Sequence, residues 1–526
     1  VRGGENERRD FLWICGLPTF IPESENHILM TESSRYLTNH LLAAEYKQVN
    51  EPVPKDLDND QNGMTEWILK HLQSFVQNDF YEYNGRPYAR EAMEGISNLY
   101  EFAGPTVRSN PCWRSNPPDP TQPPIPRGCD VRRGARIVMD YHAARFALGS
   151  LGLRRASPYR RQPLQRNYSR LLGRQSDSMT WRYLALSGGG EVFWQHRYGR
   201  IPANLADSFL TPLLGTYRVP HMISDMMTDK KHSYFQRFYF DRDGYPGVEL
   251  YYRHANYLIS AGGIHDQGRL GAFSDTEDAW ALPTTLIPFK EGLDYRHFVR
   301  IVGNEDEEDR VNTCVAPSFA CGLNPEIPGG IPKACMRRED NWTFLDFNKN
   351  SPGCNLDYGY YVVVYQEICD TDDCKSEAGD NGTFGFFEAT PYRNFEQLVE
   401  DVVAANKNWD FRSDKVNVYN GANGLRYTFQ PMTSEPLKWG MVSVAQGNAV
   451  TDFDGDMTKW PLAQGELMSS DGHKGCIVID NPLMDQRLIL DYTDANRPKR
   501  TRLRLSGVSR ECRCPLPDSC LPPRYE

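Results

Sequence analysis

Ser24-Glu25-Asn26-His27 puts a hydroxyl, a carboxylate, an amide and an imidazole in consecutive positions, after an apolar, proline-containing lead-in and before a helical pattern. At a helix N-terminus the free N–H groups and the dipole favour an anion, so this string is a ready position for a carboxylate. Simple capping is the plainer reading, with Ser24 or Asn26 as cap, Glu25 favouring the dipole and His27 packing. A second concentration runs from Phe80 to Arg90 and includes Tyr81, Glu82, Tyr83, Arg86, Tyr88 and Arg90. Tyrosine faces stack on sugars and their hydroxyls exchange protons, while guanidinium groups grip carboxylates bidentately; a loop buried between helices is the alternative. Met139-Asp140-Tyr141-His142 and Tyr251-Tyr252-Arg253-His254-Ala255-Asn256-Tyr257 are two further clusters. A lone helical histidine is more often a satisfied core residue than a reactive one.

Other chemistries leave weaker traces. Asp56-Leu-Asp58-Asn-Asp60-Gln-Asn62-Gly63 spaces oxygen ligands as a calcium loop does, with Asp58, Asp60 and Asn62 as ligands, although the twelfth position from Asp58 is Leu69 and not Glu. Structural calcium and a solvated acidic turn both fit, and Asp452-Phe-Asp454-Gly-Asp456 is a shorter version. Glu25, Glu32 and Glu82 are carboxylates for a hydrolase, whose separation no sequence can measure. There is no Gly-x-Ser-x-Gly elbow, P-loop or His-Glu-x-x-His. Arg154, Arg155, Arg160, Arg161, Arg166 and Arg170 form a basic patch for an acidic glycan, or else a solvated basic face.

Two kinds of element must position these residues. Helical spacing covers 25–42 (Leu29, Ser33, Tyr36/Leu37 and Leu41 on one face), 65–77, 89–102 and 131–148. The proline-rich stretch 115–127 between Cys112 and Cys129 cannot be helical. After about residue 230 the period becomes two, in segments such as 233–240, 248–253, 360–368, 425–429, 476–479 and 487–492, interrupted by one amphipathic helix near 394–405. The expected fold class is α+β multidomain: a helical domain over 1–230, then a mainly antiparallel β region over 231–526 that ends in a cysteine-rich tail.

At 526 residues, with 40% hydrophobic and 12% aromatic side chains, the chain supports more than one core and is not globally disordered. No apolar run approaches the ~20 residues that span a bilayer, and a net charge of −10 disfavours general nucleic-acid binding. The 13 cysteines cluster irregularly in Gly/Pro-rich loops, which favours disulfides over zinc. The expected staples are Cys112, Cys129, Cys314, Cys321, Cys335, Cys354, Cys369, Cys374, Cys512, Cys514 and Cys520. The odd count leaves one thiol free or paired between chains, with Cys15 and Cys476 the expected odd ones out. Asn167, Asn341 and Asn381 head N-x-S/T sequons. Together these point to a secreted glycoprotein.

Taken together, the Glu25-Asn26-His27 string opening a helix, the Tyr88-Ala89-Arg90 segment before the next long helix and the aromatic strands resemble the polysaccharide lyases built from an α/α-toroid and an antiparallel β-sandwich, the heparinase, alginate-lyase and chondroitin-lyase type. The resemblance implies an acidic, uronate-containing polysaccharide as partner and β-elimination as the reaction. It implies that Asn26 and His27 neutralise the uronate carboxylate and that Tyr88 or His142 removes the C5 proton. Arg90, Tyr83, Arg253 and His254 would contact the substrate. No metal is required by that chemistry; calcium would be structural. The alternative is a non-catalytic extracellular structural or assembly glycoprotein on a lyase-like scaffold, which self-assembles or links through an unpaired cysteine.

Overall fold

A computed structural model describes residues 9–14, 17–22, 25–80, 82–83, 88–104, 127–152, 154–155, 178–187, 206–228, 232–242, 245–264, 281–289, 297–303, 313–327, 330–378, 382–431, 442–446, 449–452 and 459–507. A two-stranded antiparallel hairpin, Arg9–Ile14 with Leu17–Pro22, opens the described chain within the part expected to be helical; helices follow, and then the larger antiparallel sheets, an α+β chain. It forms two compact units, one of Val1–Phe146, Asp177–Met226 and Leu467–Glu526, the other of Ala147–Ser176 and Met227–Glu466. This differs from a single cut near residue 230, because the last strands rejoin the helices.

In the first unit, α1 (Glu25–Gln48) buries Leu29, Ser33 and Tyr36, as the helical spacing requires. Leu41, expected on the same face, is 65% exposed, because beyond Asn39 no residue of the helix is buried. α2 (Met64–Asn78) buries Ile68, Leu69, Leu72, Phe75 and Val76, and α3 (Tyr88–Phe102) buries Ala92, Met93, Ile96 and Leu99. α1 and α3 cross closely at Gly95, where an added Cβ would lie 2.9 Å from the Leu29 carbonyl oxygen and 3.2 Å from the Ser33 hydroxyl. Any larger residue would push the two helices apart. α4 (Gly128–Leu148) is buried on every side from Ile137 onward, the mark of a central helix. Short helices follow at Ser178–Leu186 (α5), Ala206–Leu214 and His221–Thr228.

The four-stranded antiparallel sheet Met468–Ser470, Cys476–Asn481, Gln486–Asp491, Lys499–Arg504 completes this unit. Its attachment is polar and long-range. The Tyr492 hydroxyl donates to the Leu69 carbonyl at 2.9 Å, and Gln73 Nε2 donates to the Tyr492 carbonyl at 2.7 Å. Asn481 Nδ2 donates to the Met222 carbonyl at 2.8 Å. These bonds tie the sheet to α2 and to the helix His221–Thr228.

The second unit contains a seven-stranded antiparallel sheet in the order Pro325–Glu326, Val299–Ile301, Ala281–Pro288, Tyr257–Ile264, Tyr245–Arg253, Tyr234–Arg242, Ala463–Gly465. A six-stranded sheet runs Thr313–Ala316, Phe319–Leu323, Thr383–Thr390, Tyr360–Ile368, Trp342–Phe347, Met336–Glu339. The period of two is visible in Tyr360–Ile368. Tyr360, Val362 and Val364 join a core shared with Val248, Leu250 and Ile259 of the seven-stranded sheet. Tyr361, Val363 and Tyr365 join a second core with Leu398, Val399 and Val402 of the helix Phe395–Asn406 and Tyr419, Tyr427 and Phe429 of a smaller sheet. Both faces of the strand are therefore dry from Tyr360 to Tyr365, which explains the unbroken apolar run over those positions.

Three disulfides staple the second unit: Cys314–Cys321 across a hairpin, Cys335–Cys354 and Cys369–Cys374. Cys129 is also disulfide-bonded. So is Cys476, which corrects its expected role as an odd thiol: it opens a buried strand and is itself buried. Cys15, Cys112, Cys512, Cys514 and Cys520 lie outside the described residues, as do Asn167, Asn381, the stretch 115–126, the arginines from Arg160 to Arg170 and the side chains of Arg154 and Arg155. No described helix is long and apolar enough to cross a membrane.

Candidate functional site

The turn Met139–His142 of α4 sends three polar side chains in different directions, and each meets a partner inside the first unit. Asp140 accepts from the Tyr217 hydroxyl at 2.9 Å and from Arg500 Nε at 2.6 Å. Tyr141 donates to Asp79 Oδ1 at 2.7 Å, and Arg145, one turn further along α4, donates to Asp79 Oδ2 at 2.6 Å. His142 Nδ1 lies 2.6 Å from the Tyr183 hydroxyl of α5. The His142 ring also has its centroid 5.0 Å from that of Tyr83 and meets Phe80 edge-on at 5.1 Å. The Arg145 guanidinium covers the Tyr83 ring at 4.5 Å.

A histidine, two tyrosines and an arginine from α4, α5 and the 82–83 turn thus share one enclosure. Tyr–His contact at hydrogen-bond length can pass a proton, and the arginine supplies positive charge beside it. The enclosure is closed: Tyr83 and His142 are 1% exposed, and Tyr183 and Arg145 are 0% exposed. Burying Arg145 and Asp79 carries a desolvation cost that their ion pair and the Tyr141 hydrogen bond offset. Asp79 also holds a strained backbone, φ 64° and ψ −178°, just after α2, a conformation that costs a non-glycine residue roughly 1–3 kcal/mol. It persists because both carboxylate oxygens are held. Burial first, and the Asp140 carboxylate second, push the Tyr217 phenol well above its ordinary value of 10.0, so it stays a donor.

At the start of α1 the expected carboxylate position is occupied, and the carboxylate is the chain's own. The Asn26 backbone N–H donates to Glu82 Oε2 at 2.8 Å, and Asn26 Nδ2 donates to Glu91 Oε2 at 2.9 Å. The Glu82 N–H in turn donates to Glu25 Oε1 at 3.3 Å. Asn26 is buried, whereas His27, about 100° further round the helix, is exposed. The pair therefore does not face one ligand. Glu32, also buried, is bridged to Arg35 at 3.3 Å. Tyr88 is half-buried at the first position of α3, and Arg90 lies 3.8 Å from the carboxylates of both Glu91 and Glu94. Ser24, Tyr81, Arg86 and Pro87 lie outside the described residues.

Arg253 and His254 belong to the second unit. Arg253 is 1% exposed, its guanidinium 5.6 Å from the Tyr234 ring. His254 stacks on Tyr257 at 4.7 Å, and burial lowers its pKa. Asp58 Oδ1 accepts from the backbone N–H groups of Asp60 and Gln61, and Asn62 Oδ1 accepts from that of Met64. These bonds fit a self-capped turn leading into α2. Among the described residues no group of three or more His, Cys, Asp or Glu side chains is placed to hold a metal ion. Of the second acidic string, residues 453–456 lie outside the described residues.

Sequence reasoning found His142 and Tyr83 but missed Asp79, Arg145 and Tyr183. One signal was there: Arg145 sits four residues after Tyr141, on the same face of the helix, between the apolar pairs Ala143-Ala144 and Phe146-Ala147, and a buried arginine demands a carboxylate. It also missed Glu388, which is fully buried in the second unit and accepts from the Tyr419 hydroxyl at 2.6 Å and from the N–H groups of Ala422 and Asn423 at 3.1 and 3.2 Å. Burial raises the Glu388 pKa, and these three donors hold it back. No family model, curated protein or solved structure matches the chain.

Proposed function

We propose that the chain is a non-catalytic extracellular glycoprotein, stapled by disulfides, that keeps the polar residues of a uronate lyase as an internal structural network. The observation that carries this reading is the sealing of that network. A base for β-elimination must come within hydrogen-bond reach of the C5 proton of a polymer. Tyr83, His142, Tyr183 and Arg145 have at most 1% of their surface exposed; Tyr88, the other expected base, is half-buried, but Glu82 already fills the anion position at α1 that a substrate carboxylate would need. The three disulfides fit an oxidising compartment. The sequon residue Asn341 is exposed in the turn between the strands Met336–Glu339 and Trp342–Phe347, its Nδ2 donating to Glu367.

A second reading, a lyase acting on an acidic polysaccharide, is favoured by one observation: the Tyr83–His142–Tyr183 arrangement has the residue types and contacts of a proton relay. Incubation with alginate, heparan, chondroitin and pectin-type polymers separates the two. Elimination leaves an unsaturated sugar that absorbs near ~235 nm, and its appearance, abolished in Tyr83→Phe, would replace the first reading with the second.

A further inference from the structure

The helix Ala206–Leu214 reads Ala-Asp-Ser-Phe-Leu-Thr-Pro-Leu-Leu and is apolar on both sides. Its inner side buries Ser208 and Pro212 and sets Phe209 edge-on to the buried Trp181 of α5, with ring centroids 6.3 Å apart. Its outer side carries Leu210, Leu213 and Leu214, which are 54%, 40% and 88% exposed and follow the i, i+3, i+4 spacing of one helical stripe. Phe102, the last residue of α3, is 62% exposed in the same unit. Glu101 joins the two. Its carboxylate accepts from the Thr216 N–H at 2.6 Å, the Thr216 hydroxyl at 2.8 Å and the Tyr217 N–H at 3.1 Å, and a Cβ on Gly215 would lie 2.9 Å from it. The end of α3 therefore abuts the chain as it leaves the leucine helix. Arg218 is turned back onto the carbonyls of Leu213, Gly215 and Tyr217. A helix that is apolar all round is ordinarily covered, yet the outer leucines of this one stand open to solvent.

We infer that this face, Phe102 with Leu210, Leu213 and Leu214, is where a second copy of the chain docks. Taking roughly 200 Å² for a fully exposed phenylalanine or leucine, the four residues present about 500 Å², near the upper end for the largest apolar patch on a monomer. Set against its own copy across a two-fold axis, the patch buries about 1,000 Å² in total before any rim is counted, the size at which a specific interface begins. Charge favours the copy as occupant. A chain of net charge −10 repels itself wherever charged faces meet, and an uncharged stripe is where two copies approach without that penalty. An isologous contact needs only the stripe itself, because leucines at i, i+3 and i+4 form a ridge that packs against the same ridge of the copy. A lipid surface fits less well: interfacial helices set cations beside their apolar stripe, and the helix Ala206–Leu214 has none. The inference goes beyond the non-catalytic reading and holds whether or not the helical network catalyses.

The test is sedimentation velocity of the full chain from about 0.5 to about 50 µM, where a species of twice the chain's mass should grow with concentration. The variant Leu210→Asp/Leu214→Asp is compared with Ile368→Asp/Val416→Asp, which adds the same two charges at exposed apolar positions of the second unit. Like charges placed face to face should weaken the dimer at least roughly a hundredfold in the first variant, against less than about threefold in the second. A chain that stays monomeric at about 50 µM, equal losses in both variants, or a dimer that the first variant leaves intact would overturn the inference. So would a monomer that binds phosphatidylcholine vesicles and loses that binding in the first variant, which would make a membrane the occupant. Should the first variant fail to fold, hydrogen exchange in the parent chain must still slow in the helix Ala206–Leu214 and at the end of α3 on passing from monomer to dimer. Unchanged exchange at both places would overturn it as well.

Discussion

His142 Nδ1 and the Tyr183 hydroxyl lie 2.6 Å apart, both inside the first unit and both closed to solvent. The same enclosure holds the Asp79–Arg145 ion pair, whose carboxylate also accepts from Tyr141. A buried hydrogen bond of this kind is lost at the cost of the group left behind. Tyr183→Phe should therefore destabilise the chain by about 1–3 kcal/mol in denaturant melts. An unchanged midpoint would mean that the contact contributes nothing to the fold.

Asp79 bears more weight. Asp79→Ala leaves Arg145 charged and buried without its carboxylate, which costs about 3–5 kcal/mol, less any relief of the strained backbone. Asp79→Ala/Arg145→Met removes both charges and should recover most of that loss. A double variant as unstable as the single would show that the ion pair is not the source of the effect.

Asn26 and His27 separate cleanly. Asn26→Ala strips a buried donor from Glu91 and should cost about 1–3 kcal/mol, whereas His27→Ala, on the exposed side of α1, should stay within about 0.5 kcal/mol. Thermal midpoints of the two variants check this. The reverse ranking would contradict the placement of Asn26 against the chain's own glutamates.

The element pattern was legible because it depends on local spacing. Tyr360–Ile368 and the helix Phe395–Asn406 fall where alternation and amphipathicity put them, within one residue. What local spacing cannot carry is long-range closure. Tyr492 meets Leu69 across 423 positions and Arg500 meets Asp140 across 360, so the return of the last strands to the helical unit has no local signal. Asn26 and His27 were legible as a helix start, yet their roles were not. Which face of a first turn is covered depends on Glu82, more than 50 positions away.

Glu388 gives the second unit a pH signature. Its folded pKa is raised above the ordinary 4.5 by burial, so its contribution to stability is fully present below that value and is lost as pH rises through the folded pKa. Glu388→Gln removes that loss. The stability difference between parent and variant should therefore shift in favour of the variant as pH rises from about 4 to 7. Melts across this range that run parallel would refute the raised pKa.

Among the staples, Cys335–Cys354 spans 19 positions, against 7 for Cys314–Cys321 and 5 for Cys369–Cys374. Loop entropy makes the longest the most stabilising, by about 3 kcal/mol for a loop near this length. Paired Cys→Ala variants, compared by denaturant melts, should rank the three in that order; a larger loss for Cys369→Ala/Cys374→Ala would refute it.

The most direct measurement of the central claim is absorbance near ~235 nm while the purified chain is incubated with alginate, heparan, chondroitin and pectin-type polymers, with and without calcium. A sealed structural network predicts a flat trace across the panel. A rise with any polymer, abolished by Tyr83→Phe or His142→Ala in variants that remain folded, would contradict it and make the enclosure an active site.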